Sequence, residues 1–227
     1  MGRDYKRRYK KEYNFILFLI QRIFLYFIAY PIAHLYYDVK YEGRENFDKH
    51  KQYLLCPNHV SYLDPPFAAL VCDCNVAYMA KQELFFDKNL ALRWFVKIMG
   101  SFAVNREKPE LSTFKTVRDV LDAKWNLGIF PQGKICHENY LSDIHKGFAI
   151  FSKRAKIDVV PIAICGFTGY AHRPFEKHMT LKIGKPISHE LPEEEIIRQW
   201  ANAICEMTGL ENRVEAELLA EKSPTAV

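Results

Sequence analysis

Short apolar runs alternate along this chain with longer segments of helical periodicity. The short runs predict strands over residues 39–46 (with a turn at Gly43), 51–58, 75–81, 101–106, 126–133, 157–167 and 178–187. Helices are predicted from Asp64 onwards and over 83–100, 109–125, 145–156 and 190–208. In segment 109–125, for example, apolar residues recur at three- or four-residue intervals from Leu111 to Leu121. This alternation predicts an α/β fold: a single domain with a largely parallel or mixed sheet covered by helices.

Residues that favour helix ends support several of these boundaries. Asp64 is followed by two prolines, which is typical of a helix start, and Asp64 is expected at its N-cap. Gly100 is expected to close the helical segment 83–100. After Ser188, Pro192 and three consecutive glutamates suit the first turn of the last helix, where the helix dipole favours negative charge.

The chain begins differently, with a Lys/Arg-rich leader (1–13) that runs into an apolar segment (14–37). That segment is about long enough to cross a bilayer, which takes roughly 20 residues. Gln21 and Arg22 interrupt it, and Pro31 is expected to kink or end the helix. We therefore expect an interfacial helix or bent helical pair on the cytoplasmic leaflet, with Arg22 among the lipid headgroups. A single spanning helix, or a core helix with a solvated basic tail, are the alternatives.

Composition limits the function classes. The 227 residues, 49% of them hydrophobic, are enough for one domain with a sizeable core. A net charge of +5 argues against a dedicated nucleic-acid-binding protein and permits attraction to anionic membrane lipids. The six cysteines form no C-x-x-C pair and no signal peptide precedes them, so we expect reduced thiols facing the cytoplasm. No metal site is expected, because His137 and His145 form no recognisable ligand set with His59.

The stretch "CPNHVSYLDP" (56–65) carries the candidate chemistry. Residues five apart lie roughly 140° apart around an ideal helix, so His59 and Asp64 cannot share one helical face. They can meet if His59 lies in the turn after the strand and Asp64 opens the next helix. The carboxylate would then orient the imidazole as a base. The alternative is a packed histidine with Asp64 acting only as a cap, and with Asn58 and Ser61 as ordinary turn residues.

Four motifs in order resemble those of the glycerolipid acyltransferases typified by lysophosphatidic acid acyltransferase. "NHVSYLD" (58–64) matches the pattern N-H-x-S-x-x-D at every fixed position. "GSFAVNR" (100–106), "FPQGKI" (130–135) and "VVPIAI" (159–164) resemble the second, third and fourth blocks, and Lys146-Gly147 lies at a further family position. The resemblance runs from about residue 40 to about residue 190. It divides the chain into a leader and membrane-associated helix (1–37), an acyltransferase domain (38–222) and a loose tail (223–227).

The resemblance implies an O-acyltransferase of phospholipid biosynthesis or remodelling. Its donor would be acyl-CoA or acyl carrier protein, acting as a co-substrate, with no further cofactor, and its acceptor the hydroxyl of a lysophospholipid or glycerol-phosphate-like lipid. His59 would be the general base and Asp64 its orienting acid. Arg106 would bind the acceptor's phosphate, with Lys146 a weaker candidate for the same task. The remaining substrate-binding positions would be Asn58, Ser61, Pro131, Gln132, Gly133 and Lys134.

The third block departs from the family pattern F-P-E-G-T-R. Gln132 replaces the usual glutamate, Lys134 the threonine and Ile135 the arginine. These changes leave the acceptor open, with a lipid alcohol that lacks a phosphate as one possibility. They also leave open a lipid-binding membrane module that has lost turnover. A thioesterase or lipase that uses water is a third alternative, although no G-x-S-x-G motif marks Ser61 as a nucleophile.

Overall fold

A seven-stranded mixed sheet forms the centre of the molecule. The computed structural model describes residues 8–86, 88–104, 111–167, 178–216 and 218. The strand order is β1-β8-β7-β2-β5-β3-β4, and every neighbouring pair is parallel except the antiparallel pair β7 and β8. The strands are β1 (Val39–Glu42), β2 (Leu54–Pro57), β3 (Val76–Lys81), β4 (Phe102–Val104), β5 (Asn126–Gly128), β7 (Val159–Cys165) and β8 (Met179–Ile183). The predicted mixed α/β sheet is confirmed.

Six α-helices connect and cover these strands in the described part of the chain. They are α1 (Phe15–Phe24), α2 (Asp64–Cys72), α3 (Leu90–Ile98), α4 (Leu111–Asp122), α5 (Gly147–Ala155) and α6 (Glu193–Thr208). Short 3-10 helices occupy Lys10–Glu12, Arg44–Asn46 and Gln82–Phe85. The predicted helices are all present with narrower bounds. A small parallel pair, β6 (Tyr140–Leu141) with β9 (Glu211–Asn212), was not predicted, because two residues are too few to show a pattern.

The central strands are buried on both faces, so two apolar cores form. Leu54 of β2 packs into a core beneath α4, α5 and α6, whereas Leu55 packs into the opposite core with α2 and the N-terminal helix. Alternate side chains of a strand point to opposite faces, which places successive apolar residues in different cores. Strands covered on both faces need continuous apolar runs. This requirement explains the unbroken "LLC" and "VVPIAIC" segments of β2 and β7.

The N-terminal apolar segment forms one long helical element, and Pro31 does not end it. Residues 15–36 are helical, but Leu25–Ala29 and Ile32–Tyr36 have the wider π-helical turns. The buried residues recur at intervals of four: Gln21, Leu25, Ala29, Ala33 and Tyr37. Four residues overshoot one turn of an α-helix, so such a stripe would rotate away from the domain, and the wider turns keep it in place. Pro31 was expected to kink or end the helix, and the second of these alternatives was therefore wrong.

Polar residues fasten this helix to the domain. The Gln21 side chain is fully buried, donates to the Val76 carbonyl oxygen at 3.0 Å and accepts from the Val76 N–H at 3.1 Å. Arg22 pairs with the Asp73 carboxylate at 2.7 Å and also donates to Asn75. The expectation that Arg22 lies among lipid headgroups is thus corrected, because its guanidinium faces the domain. Gln21 and Arg22 interrupt the apolar run where the helix meets the amino end of β3.

Candidate active site

The carboxyl end of β2 is held tightly against β7. Asn58 follows the strand directly and is buried. Its side-chain oxygen accepts from the Ile164 N–H at 2.7 Å, and its side-chain nitrogen donates to the Ile164 carbonyl oxygen at 3.2 Å. The amide group of Asn58 thus continues the strand pairing after the backbone has turned away. This fixes the starting point of the turn that carries His59.

The turn from Asn58 to Asp64 folds around a single carboxylate oxygen. Asp64 Oδ2 accepts from the backbone N–H groups of Val60 and Ser61 at 2.6 and 2.8 Å and contacts His59 Nδ1 at 2.7 Å. Asp64 is the first residue of α2, and Leu63 occupies the N-cap position. The expected N-cap role of Asp64 was therefore wrong. Its carboxylate points back into the preceding turn, which brings it to His59 despite the five-residue spacing.

His59 stands on an aromatic stack that sequence reasoning did not find. Its ring stacks on Phe130 with 4.2 Å between centroids, and Phe130 stacks on Tyr78 at 5.9 Å. The Tyr78 hydroxyl donates to the Pro65 carbonyl oxygen at 2.6 Å, which ties the stack to the start of α2. Any side chain at Gly128 would collide with the Tyr78 ring at 2.4 Å, so the stack depends on this glycine. These contacts hold the imidazole plane in one orientation.

The charges of this pair suit a base and its orienting acid. The Asp64 side chain is fully buried, and that of His59 is 19% exposed. Burial raises the pKa of the Asp64 carboxyl above its ordinary value, while the hydrogen bonds from His59, Ser61 and Val60 act in the opposite direction. Asp64 Oδ1 and His59 Nε2 form no hydrogen bond with other described residues. Nε2 is thus the ring nitrogen left to exchange a proton with a ligand.

The third sequence block wraps around the His59 backbone. Gln132 is buried, and its Oε1 accepts from the His59 N–H at 2.8 Å. The Cys136 N–H donates to the His59 carbonyl oxygen at 2.8 Å. Gly133 has φ of +68°, in the left-handed region that favours glycine, and its N–H closes the turn onto the Phe130 carbonyl oxygen. The side-chain oxygen of Gln132 is therefore occupied by the hydrogen bond from His59. Its side-chain nitrogen has no partner among the described residues.

The other predicted site residues differ in their burial and in the groups that they contact. Ser61 is buried, and its Oγ accepts from the Leu63 N–H at 3.0 Å, so it supports the turn. Pro131 is buried, and its carbonyl oxygen accepts from the His145 N–H at 2.7 Å. Lys134 is exposed and Lys146 half-buried at the start of α5. Arg106 lies outside the described residues.

The described residues contain no group of three or more His, Cys, Asp or Glu side chains arranged to hold a metal ion. His137 and His145 are both exposed. A second histidine–aspartate pair, His189 and Asp158, has the same 2.7 Å contact but lies at the amino end of β7, whereas His59 lies at the carboxyl end of the neighbouring parallel strand β2. The position of His59 at the carboxyl end of β2 agrees with the general rule for α/β sheets, where ligands bind beyond the carboxyl ends of the strands.

Comparisons with known proteins agree with the fold and with the motifs. A protein-family model described as Acyltransferase matches residues 38–165. A Bacillus subtilis 1-acyl-sn-glycerol-3-phosphate acyltransferase is 27% identical over 183 residues, which cover 78% of this chain and 90% of the relative. A Streptococcus pneumoniae protein of the same name is 27% identical over 139 residues, which cover 60% of this chain and only half of the relative. The crystal structure of the acyltransferase PlsC from Thermotoga maritima has the same fold, with a TM-score of 0.59 and 18% identity over 91% of this chain and 84% of that one.

Proposed function

This chain belongs to the acyltransferase family, and we propose that it transfers a fatty acyl group from an acyl thioester to the hydroxyl group of a lysophospholipid. The observation that carries the proposal is the hydrogen bond between His59 Nδ1 and Asp64 Oδ2, which leaves Nε2 without a described partner. An imidazole held in this way has its second ring nitrogen available to act as a general base. The relatives named 1-acyl-sn-glycerol-3-phosphate acyltransferase support this substrate class.

The proposed reaction needs no covalent acyl-enzyme. His59 Nε2 takes the proton of the acceptor hydroxyl as its oxygen attacks the thioester carbonyl carbon. The tetrahedral intermediate then collapses, the C–S bond breaks, and the imidazolium returns its proton to the leaving thiolate. Asp64 stabilises the imidazolium through the Nδ1–H hydrogen bond, and being buried, it does so in a region of low dielectric constant.

Positively charged side chains are our candidates for binding the acceptor's headgroup. We propose that Arg106, Lys134 and Lys146 contact the phosphate, because cations bind phosphate oxygens through charge-assisted hydrogen bonds. Gln132 would add its side-chain N–H₂ group, since its oxygen is bonded to His59.

A specific observation favours a second candidate, a lipid alcohol without a phosphate. Position 135, where the family has arginine, is isoleucine, and the amide at 132 brings no charge.

We further propose that the protein is monotopic on the cytoplasmic leaflet. The apolar helix 15–36 has mean hydropathy 1.9 over its most apolar stretch, of which only 17% is buried. Length and composition are shared by membrane helices and by other apolar helices, so they do not decide how this helix meets a membrane. Gln21 and Arg22 add the stronger argument, because crossing the bilayer would require breaking their bonds to β3 and Asp73. A helix docked along one side presents its other side to lipid.

An acceptor panel tests the proposal. The protein in detergent micelles would receive acyl-CoA or acylated carrier protein with lysophosphatidic acid, lysophosphatidylcholine, monoacylglycerol or no acceptor, with free thiol and lipid mass both measured. We expect thiol release that depends on a lysolipid and a matching diacyl product. Equal release without any acceptor would indicate a thioesterase. Vesicle binding without consumption of any donor would indicate a lipid-binding module.

A further inference from the structure

Helix α3 leaves an apolar face uncovered. It buries Val96 and Ile98 but exposes Leu90 and Trp94, which are 72% and 58% accessible to solvent. These two residues are four apart and so lie on the same side of the helix. Phe86, which precedes the helix, is 54% exposed as well. Large apolar side chains grouped on one element mark an interaction surface rather than ordinary surface variation.

Helix α3 packs beside the N-terminal helix, which also exposes apolar side chains. Phe24 packs edge to face on Phe95 of α3, with 5.7 Å between ring centroids. One turn away from Phe24 along its own helix, Ile20, Phe27 and Ile28 are all exposed. The contact between the two aromatic rings therefore places two helices with exposed apolar side chains next to each other.

The charges and the aromatic residue at this surface fit a membrane of anionic lipids. Within 81–98, the exposed charged residues of the described chain are Lys81, Lys88 and Lys97, against the single acid Glu83. Lysines beside an apolar face attract anionic headgroups. Tryptophan is enriched at the boundary between headgroups and acyl chains, where Trp94 would then lie.

We propose that α3 is a second membrane-contacting element, with Leu90 and Trp94 inserted into the interface of an anionic bilayer beside the N-terminal helix. This inference rests on the proposed membrane association. A single helix lying in the interface leaves the domain free to roll about the helix axis. A second contact beside it prevents that rotation and gives His59 a constant orientation relative to the lipid surface.

The chain provides its own probe for this contact. Its three tryptophans are all described, and Trp125 and Trp200 are 3% and 0% exposed, which leaves Trp94 as the exposed indole. The experiment adds full-length protein to vesicles of phosphatidylcholine and phosphatidylglycerol, either unlabelled or brominated near the headgroup end of the acyl chains. We expect a blue shift of the emission on unlabelled vesicles and strong quenching on brominated ones. The Trp94→Phe protein should show neither change, although it should still co-float with vesicles.

Affinity gives a second readout. Replacing both Leu90 and Trp94 with glutamine should weaken vesicle binding about tenfold or more, because each side chain would otherwise bury its apolar area in lipid. Leu111→Gln is the matched control: Leu111 is 78% exposed on α4, which packs on the other face of the sheet, and its loss should leave vesicle binding unchanged.

Three results would overturn the inference: unquenched Trp94 in protein that co-floats with brominated vesicles, a doubly substituted variant that binds as well as the wild type, or a blue shift that follows protein concentration without vesicles. The last result would assign the surface to self-association. Acyl transfer in detergent micelles is measured separately, so failure of the proposed reaction and failure of this contact are distinguishable.

Discussion

Replacing Asp64 with asparagine keeps the shape of the side chain and removes its charge. The amide oxygen can still accept from the Val60 and Ser61 N–H groups, which now bond Oδ2 at 2.6 and 2.8 Å. The fold of the turn should therefore persist. What the variant loses is the negative charge next to the imidazolium that forms when His59 takes the acceptor's proton.

The size of the loss follows from the contact between His59 Nδ1 and Asp64 Oδ2, which is 2.7 Å long and buried. Hydrogen bonds to charged groups exceed neutral ones by about 1 kcal/mol, which sets the lower bound. Opposite unit charges about 4 Å apart attract by about 4 kcal/mol at an effective dielectric constant of 20, which sets the upper bound. Each 1.4 kcal/mol corresponds to about a tenfold change in rate, so kcat should fall by roughly 5- to 1000-fold.

The assay is steady-state thiol release in detergent micelles at saturating acceptor, with circular dichroism to verify folding. Asp158→Asn is the matched control, because Asp158 contacts His189 at the same 2.7 Å distance, away from the site, and its kcat should equal that of the wild type. An Asp64→Asn protein that is folded and retains wild-type kcat would refute the assignment of Asp64 as the group that stabilises the imidazolium.

Three further changes test neighbouring parts of the account. Gln132→Leu leaves the His59 N–H without its acceptor, so we expect the free energy of unfolding to fall by about 1–3 kcal/mol. Gln132→Glu keeps an acceptor at this position and should retain most of the wild-type stability. Equal stability of all three proteins in urea denaturation would contradict this prediction. Gln21→Leu removes the hydrogen-bond acceptor of the Val76 N–H, so hydrogen exchange at this amide should become faster. An unchanged exchange rate would contradict the claim that Gln21 fastens the helix to β3. Because burial raises the pKa of Asp64, the folded state binds that proton more tightly than the unfolded state does, so the contribution of Asp64 to stability should fall as pH rises above about 4. The Asp64→Asn variant should lack that component of the slope, and identical pH profiles would contradict it.

The elements of the fold were predictable because their signals are local. Apolar runs such as 157–165 and the periodicity of 111–121 depend only on neighbouring residues, and their alternation indicates a largely parallel sheet. The strand order was not predictable, since it depends on contacts between distant segments such as β1 with β8. The helix continues past Pro31 because π-helical turns accommodate the proline while keeping the buried stripe against the domain.

The motifs of the site and the local turn between His59 and Asp64 were predictable, whereas the contacts with distant segments were not. His59 and Asp64 are five residues apart, and the turn that joins them follows from the prolines after Asp64. The acceptor of the His59 N–H is Gln132, 73 residues later, and no local pattern relates the two. The same holds for Gln21 and Val76, which are 55 residues apart, so the polar interruption of the apolar run did not indicate the partner of Gln21.

The central claim is that His59 takes the acceptor's proton, and single-turnover acyl transfer by His59→Ala tests it most directly. The variant would be mixed in excess with radiolabelled acyl thioester and lysophosphatidic acid in micelles, beside His189→Ala, which removes the histidine of the second pair. The account predicts that the His59→Ala protein stays folded and forms diacyl product at least about 100-fold more slowly, consistent with the loss of a general base, while His189→Ala reacts as the wild type does. A folded His59→Ala protein that forms product at the wild-type rate would contradict the account.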